Sequence, residues 1–431
     1  MRIAFIAAGA AGAYCGSCLR DNALASALLE LGEEVILIPA YTPLRVDEPT
    51  ISGRRVVLNA LEVYSQQKLA WLRGPRGIVR RIIGGQKLLE WVTRLGLGTS
   101  PAALGSLTTS MLRGEEGNQR RLVEEMVDWL ATEIRPDVVH LPNSLLSGLA
   151  REIRRKLQVP VVLSLQGEAL FLEGLPEPHR GEALRLIRER CADVDRLTAS
   201  SAYEADHLAG WIGLDRSQID VVLPGIRVQD FGPAGTDSRP PTIGYFARIA
   251  PEKGFHVLAE AFLLLRESGE FPGIRLRAAG FLGARERRYA ALVRRRVAAR
   301  RAGDDVEILG TLERADKLKF LREVDVLSVP TTFPEPKGIF LLEAWASGLA
   351  VVQPNHGSFP ELLEATGAGL LHEPGNAEDL ALKLAELLRD PVRRVELGQR
   401  GRASVEARFT SRRMAEDVLA IYRKLRLLRV S

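Results

Sequence analysis

A chain of 431 residues is longer than one hydrophobic core supports, so two domains of about 200 residues each are expected. Its 46% hydrophobic and 6% aromatic content suits a globular enzyme, and a net charge of only +5 argues against a dedicated nucleic-acid binder. Three cysteines cannot build a disulfide framework, and no stretch reaches the roughly 18 apolar residues of a membrane helix, so a cytoplasmic protein without signal peptide or span is expected.

The first apolar run, Arg2–Ala8, reads as a buried strand. A glycine-rich loop from Gly9 to Gly16 follows. Next comes a helix with Leu19, Ala23, Ala27, Leu28 and Leu31 on one face and Gly32 as its stop. Gly9 and Gly12 would let a phosphate or an acceptor approach the backbone, although GAAG lacks the G-x-G-x-x-G dinucleotide spacing. Cys15 and Cys18 spell C-G-S-C at the helix start, where a thiol pKa is lowered. Three roles are open to this pair, in order of preference: structural or acceptor-lining, redox, and metal-binding with Cys191.

Glu34–Ile38 reads as the second strand. From about 63 to 125 the strand–helix alternation gives way to helical periodicity with the cations Lys68, Arg73, Arg76, Arg80, Arg81, Lys87 and Arg94. Trp71, Leu72, Ile78, Ile82 and Trp91 lie among them. This segment is expected as a helical insertion whose apolar residues pack on the first domain. Peripheral contact with an anionic membrane is its second reading. Asp137–Leu141, Val159–Leu165, Asp195–Ala199 and Asp220–Leu223 follow as strands. Continuous apolar strands between helices indicate a parallel sheet covered on both faces. His140 ends one strand, and Gln166 and Glu168 follow another. Asp193-Val194-Asp195 spells a D-x-D metal signature but precedes a buried strand, where Asp caps or turns, so no metal site is expected.

Gly225–Pro241 is rich in Gly, Pro and Asp and reads as the linker. A second series of strands follows at Thr242–Ala247, Ile274–Ala279, Val306–Leu309, Asp325–Val329, Ala350–Gln353 and Gly369–His372. The arginine-rich helix within Ala284–Arg301 reads as a solvated face. Phe409–Leu425 is an amphipathic helix. Domains are expected at 1–230 and 239–408, with 409–431 returning to the first.

The most informative stretch is PTTFPEPKGIFLLEAWASGLAVVQPNHGSFP, residues 330–360. Glu335 lies in a loop because Pro334 and Pro336 flank it. Glu343 follows with seven residues between the two, inside a helix expected to begin near Lys337 or Gly338. The first amides of that helix, at Gly338, Ile339 and Phe340, form an anion site. Two carboxylates beside an anion cradle suit a ligand with a phosphate end and hydroxyls, such as a nucleotide-sugar. Upstream, Arg248 and Lys253 stand five residues apart at the carboxyl end of a parallel strand, where doubly wound folds bind ligands.

The segment resembles the glutamate–seven–glutamate motif of retaining GT-B glycosyltransferases, specifically glycosyltransferase family 4. SGLAVV and GSFPELLEATGAGLLHEPGN are similar to that family too, as is the segment Arg248 to Gly254. The resemblance covers most of the chain. It implies an α/β fold of GT-B type: two facing Rossmann-like, doubly wound domains with a C-terminal crossover helix. It implies transfer of a sugar from a nucleotide-sugar to a sugar, lipid or small-molecule acceptor, without metal. Glu335, Arg248 and Lys253 inherit catalytic roles. Glu343, Gly338, Ile339, Phe340, Gly9 and Gly12 inherit donor binding. The family often carries a histidine near the acceptor; here that stretch holds Gln166 and Glu168, with His140 as the other candidate. A nucleotide-sugar epimerase or hydrolase on the same fold, and a thiol redox or binding protein, are the alternative readings.

Overall fold

The computed structural model describes residues 1–9, 16–51, 56–58, 63, 67, 101–233 and 240–430. The chain separates into two units, Met1–Leu223 with Ser411–Ser431, and Pro224–Thr410. Gly12, Cys15 and all seven cations from Lys68 to Arg94 lie outside the described residues.

The first unit carries β1 (Arg2–Ala7), β2 (Glu34–Pro39), β3 (Val138–Leu141), β4 (Val161–Leu165), β5 (Arg196–Ala199) and β6 (Ile219–Val221). They form one parallel sheet in the order β2-β1-β3-β4-β5-β6. Phe5 on β1 is in register with Leu37 on β2 and His140 on β3. Ile3, Phe5, Ala23, Leu24, Ala27 and Leu28 share a buried cluster with Met414, Val418, Leu419 and Tyr422 of the C-terminal helix Ser411–Val430. That helix starts two residues later and ends five later than its apolar pattern predicts, because Arg423, Arg426 and Arg429 near its end anchor on Glu33, Asp137 and Asp195. Helices Pro101–Leu112 and Arg120–Trp129 are the described part of the expected insertion.

The second unit carries β7 (Thr242–Phe246), β8 (Arg275–Ala279), β9 (Val306–Gly310), β10 (Val326–Leu327), β11 (Ala350–Pro354) and β12 (Gly369–His372). The sheet is parallel, in the order β12-β11-β10-β7-β8-β9. The strand expected over Asp325–Val329 pairs as a strand only at Val326–Leu327, although Ser328 N–H still bonds Gly244 O at 2.9 Å. Residues 224–230, read from sequence as first domain and linker, pack with the second unit. Ile226 bridges to Thr410, and its N–H donates to Phe409 O at 2.9 Å. No helix among the described residues is long and apolar enough to cross a membrane.

Candidate functional site

Strand order decides which loops meet. In the second sheet, chain direction reverses across the sheet between β7 and β10, and these two strands are paired. At such a switch point the loops leaving the two carboxyl ends diverge and open a crevice for a ligand. The loop after β7 carries Arg248 and Lys253. The loop after β10 carries Glu335.

Buried Tyr245 fixes the first loop by donating its hydroxyl to Arg248 O at 2.7 Å. Pro251–Lys253 then forms a single 3-10 turn, and Thr332 N–H donates to Glu252 O at 3.0 Å, tying the turn to the second loop. Lys253 Nζ reaches across 82 residues of sequence to Glu335 Oε2. The Lys253 ammonium also stands 5.9 Å from the centroid of the Phe340 ring. Arg248 is half-exposed and pairs with Glu252 at 2.6 Å.

The second loop is held from below. Gly357, at φ +62°, lies so close to Glu335 that a Cβ there would sit 2.6 Å from its backbone N and O. Only glycine fits both the left-handed conformation and that approach. Ser358 N–H donates to Glu335 O at 2.8 Å. The Glu335 side chain is buried, with 8% of the residue exposed. Burial raises its carboxyl pKa, but attraction to Lys253, its hydrogen bond, Lys337 and the Gly338 N–H together outweigh this and hold it below the usual range.

The helix begins at Ile339, with Gly338 as its left-handed N-cap residue, and ends at Ala346. Glu335 already occupies the Gly338 amide, whereas Ile339 and Phe340 hold first-turn amides that have no intrahelical partner. Glu343 is the fifth residue of the helix, little more than one turn in. Its side chain is buried and paired with Lys317 Nζ at 2.6 Å. Lys317 itself is 3% exposed and stands 5.8 Å from the Phe231 ring centroid.

Lys317, Lys337 and Glu252 were not singled out from sequence. Lys317 left a readable trace: it stands three and four residues before the buried Phe320 and Leu321, on the apolar stripe of the helix Arg314–Arg322. A lysine in such a stripe needs a buried partner.

In the first unit the expected acceptor residues serve the fold. His140 is 0% exposed, bonded to Tyr422 Oη at 2.5 Å and Ser164 Oγ at 2.7 Å, and stacked on Phe5. Burial, with help from Arg20, drives its pKa well below the usual range. It belongs to the core, which corrects its assignment to an acceptor surface. Glu168 is buried, and its carboxylate accepts from Ser144 N–H at 2.7 Å and Gln166 N–H at 2.6 Å. Both oxygens are engaged with backbone, so it is not poised as a base. The Gln166 amide donates to Asp21 at 2.9 Å and Pro142 O at 2.8 Å. Gly9, at φ +79°, lies against Thr42: a Cβ would sit 2.3 Å from Thr42 O. Its glycine is therefore required by packing.

Cys18 and Cys191 are buried, and burial pushes the Cys191 thiol up to about 12, with a lesser contribution from Glu168. Asp193 pairs with Arg151, and Asp195 caps Val161 N–H. Among the described residues no group of His, Cys, Asp and Glu could hold a metal ion.

Two family models match the chain: "Glycosyl transferases group 1" over residues 228–404 and "Glycosyl transferase 4-like domain" over residues 22–225. A Segniliparus rotundus protein named D-inositol 3-phosphate glycosyltransferase is 29% identical over 308 residues, spanning 67% of this chain and 66% of its own length, just under two thirds. A Corynebacterium glutamicum protein named as a GDP-mannose-dependent monoacylated α-(1-6)-phosphatidylinositol monomannoside mannosyltransferase is 28% identical over 65% of this chain and 73% of its own. Among solved structures, sucrose-phosphate synthase of Thermosynechococcus elongatus superposes with a TM-score of 0.73 at 20% identity, covering 100% of this chain and 99% of its own. HepE of Anabaena, in complex with UDP, superposes with a TM-score of 0.71 at 16% identity, covering 98% and 100%. At these identities the structures bear out the GT-B fold.

Proposed function

The chain belongs to the group 1 glycosyltransferases of family 4, and from that membership we propose that its second unit binds a nucleotide-sugar and transfers the sugar, with retention, to an acceptor hydroxyl. The observation that carries this reading is the Lys253–Glu335 pair at the switch point beside the helix Ile339–Ala346. A carboxylate held by a lysine can exchange that partner for a ligand hydroxyl while the lysine turns to a phosphate.

In this reading Glu335 turns to donor sugar hydroxyls and Lys253 to the diphosphate. Arg248, on the rim, joins Lys253 as the bond from anomeric carbon to diphosphate oxygen breaks. The amides of Ile339 and Phe340 donate to the diphosphate oxygens that carry the remaining charge. The acceptor oxygen bonds the anomeric carbon from the face the diphosphate leaves, and a diphosphate oxygen takes its proton. Glu343, steadied by Lys317, receives the ribose hydroxyls. Lys253, Arg248 and the helix amides supply the positive charge, so the reaction is proposed to run without metal. The acceptor is a sugar, lipid or small molecule. The inositol-bearing compounds named for the two relatives are the first to test. Three cysteines in 431 residues build no disulfide framework, which suits a reducing compartment, and we place the reaction in the cytoplasm.

The experiment is a thermal-shift panel of UDP-, GDP- and ADP-sugars, followed by product analysis by NMR. A donor at a hundred times its Kd stabilises by about 2.7 kcal/mol. The expected result is one responding base, an α-to-α or β-to-β product, and activity retained in EDTA. A panel with no responding nucleotide, or an inverted product, overturns the proposal.

A further inference from the structure

The helix Arg287–Ala299 stands apart from the candidate site and is unusually cationic. Its inner face is Ala290, Val293 and Val297, all buried. One hundred degrees per residue then puts Arg288, Leu292, Arg295 and Ala299 on the crown, at i, i+4, i+7 and i+11. Leu292 is 64% exposed. Arg287 and Arg294 are exposed as well.

Neighbouring acids do not neutralise this crown. Glu260 pairs with Arg296 and Arg300, and Glu267 with Arg300. Among the described residues, Arg287, Arg288, Arg294 and Arg295 take part in no ion pair, so four guanidinium groups face solvent together.

We propose that this crown docks the second unit on an anionic lipid bilayer. Charge complementarity selects an anionic partner. Leu292, between Arg288 and Arg295, selects a bilayer, because an apolar side chain gains only where it can leave water. Exposed Ala291, Ala298 and Ala299 leave the helix flat enough to lie in an interface. RNA is the weaker fit: unpaired bases are held by stacking on aromatic rings, and the helix's one aromatic, Tyr289, turns away to bond His256 at 2.8 Å.

The test is co-sedimentation of the full chain at low salt with phosphatidylcholine vesicles, with and without a third of phosphatidylserine. Wild type should sediment only with the anionic vesicles and be released by high salt. Each arginine near the surface is worth about fivefold in partition, so Arg288→Glu with Arg295→Glu should lower binding more than tenfold. Leu292→Ser should lower it several-fold. Circular dichroism and melting temperature should not change, since all three side chains are on the surface. Failure of wild type to bind, partition of the double variant equal to wild type, or tighter binding to poly(U) than to vesicles would each overturn the proposal. Donor-induced thermal shifts test the glycosyltransferase reading separately.

Discussion

Each unit buries carboxylates at the strand ends of its sheet, and the two sets are satisfied differently. In the first unit Glu168 accepts from the backbone amides of Ser144 and Gln166, and Glu204 from those of Gly167 and Ser200. In the second, each also has a lysine: Glu335 pairs with Lys253 besides taking the Gly338 amide, and Glu343 pairs with Lys317. A carboxylate bonded to amides fastens loops, since those amides cannot move without unfolding the turn. A carboxylate bonded to a lysine can trade that partner for a ligand hydroxyl while the lysine turns to a phosphate. Buried acids thus report on function only through what holds them.

The strongest way to break this comparison is Glu343→Ala. It leaves Lys317 charged and buried without its carboxylate, which costs about 3–5 kcal/mol. Urea unfolding should show that loss, and Lys317→Met in the same chain should recover much of it. A loss under about 1 kcal/mol would mean that water reaches the lysine.

Next in size is Lys253→Ala, with kcat expected to fall about 10²-fold or more, and by more than KM for donor rises. Arg248→Ala should behave alike, provided it leaves Glu252 for the diphosphate. A drop of tenfold or less in both would make them fold-supporting cations.

Glu168→Gln sharpens the other side of the comparison. One acceptor oxygen becomes a donor facing an amide, costing about 1–3 kcal/mol of stability. Activity per folded molecule should stay near wild type. A selective loss of kcat with unchanged stability would return Glu168 to the reaction.

The smallest effect is a pH dependence. Burial lowers the pKa of His140, and likewise of His256, His356 and His372. Below about pH 6.5 the unfolded chain binds protons at these sites that the folded chain refuses, so stability falls as pH drops through that value. Melting temperature should decline from pH 7.5 to 5.5, and the slope should flatten in His140→Gln. Glu335 works in a lower window: its depressed pKa contributes stability that is full above the usual carboxylate range and is lost as pH falls through that range to the folded value.

The loop before Glu335 and the helix after it were legible because proline, glycine and apolar spacing act locally. The Rossmann-like alternation was legible for the same reason, since periods of two and near four are written into neighbouring residues. The boundary near residue 224 was not, because Ile226 joins the second unit through a bond to Phe409, far along the chain.

By itself the sequence determined the twofold strand–helix series, the two glutamates with their helix N-terminus, and the pair of cations after β7. Only the tertiary structure decided what each charge faces. Lys253 and Glu335 are 82 residues apart, Lys317 and Glu343 are 26 apart, and His140 and Tyr422 are 282 apart. Their meeting depends on which strands are adjacent and where the last helix packs. Those are products of the whole fold, whereas propensity and periodicity are properties of a few neighbouring residues.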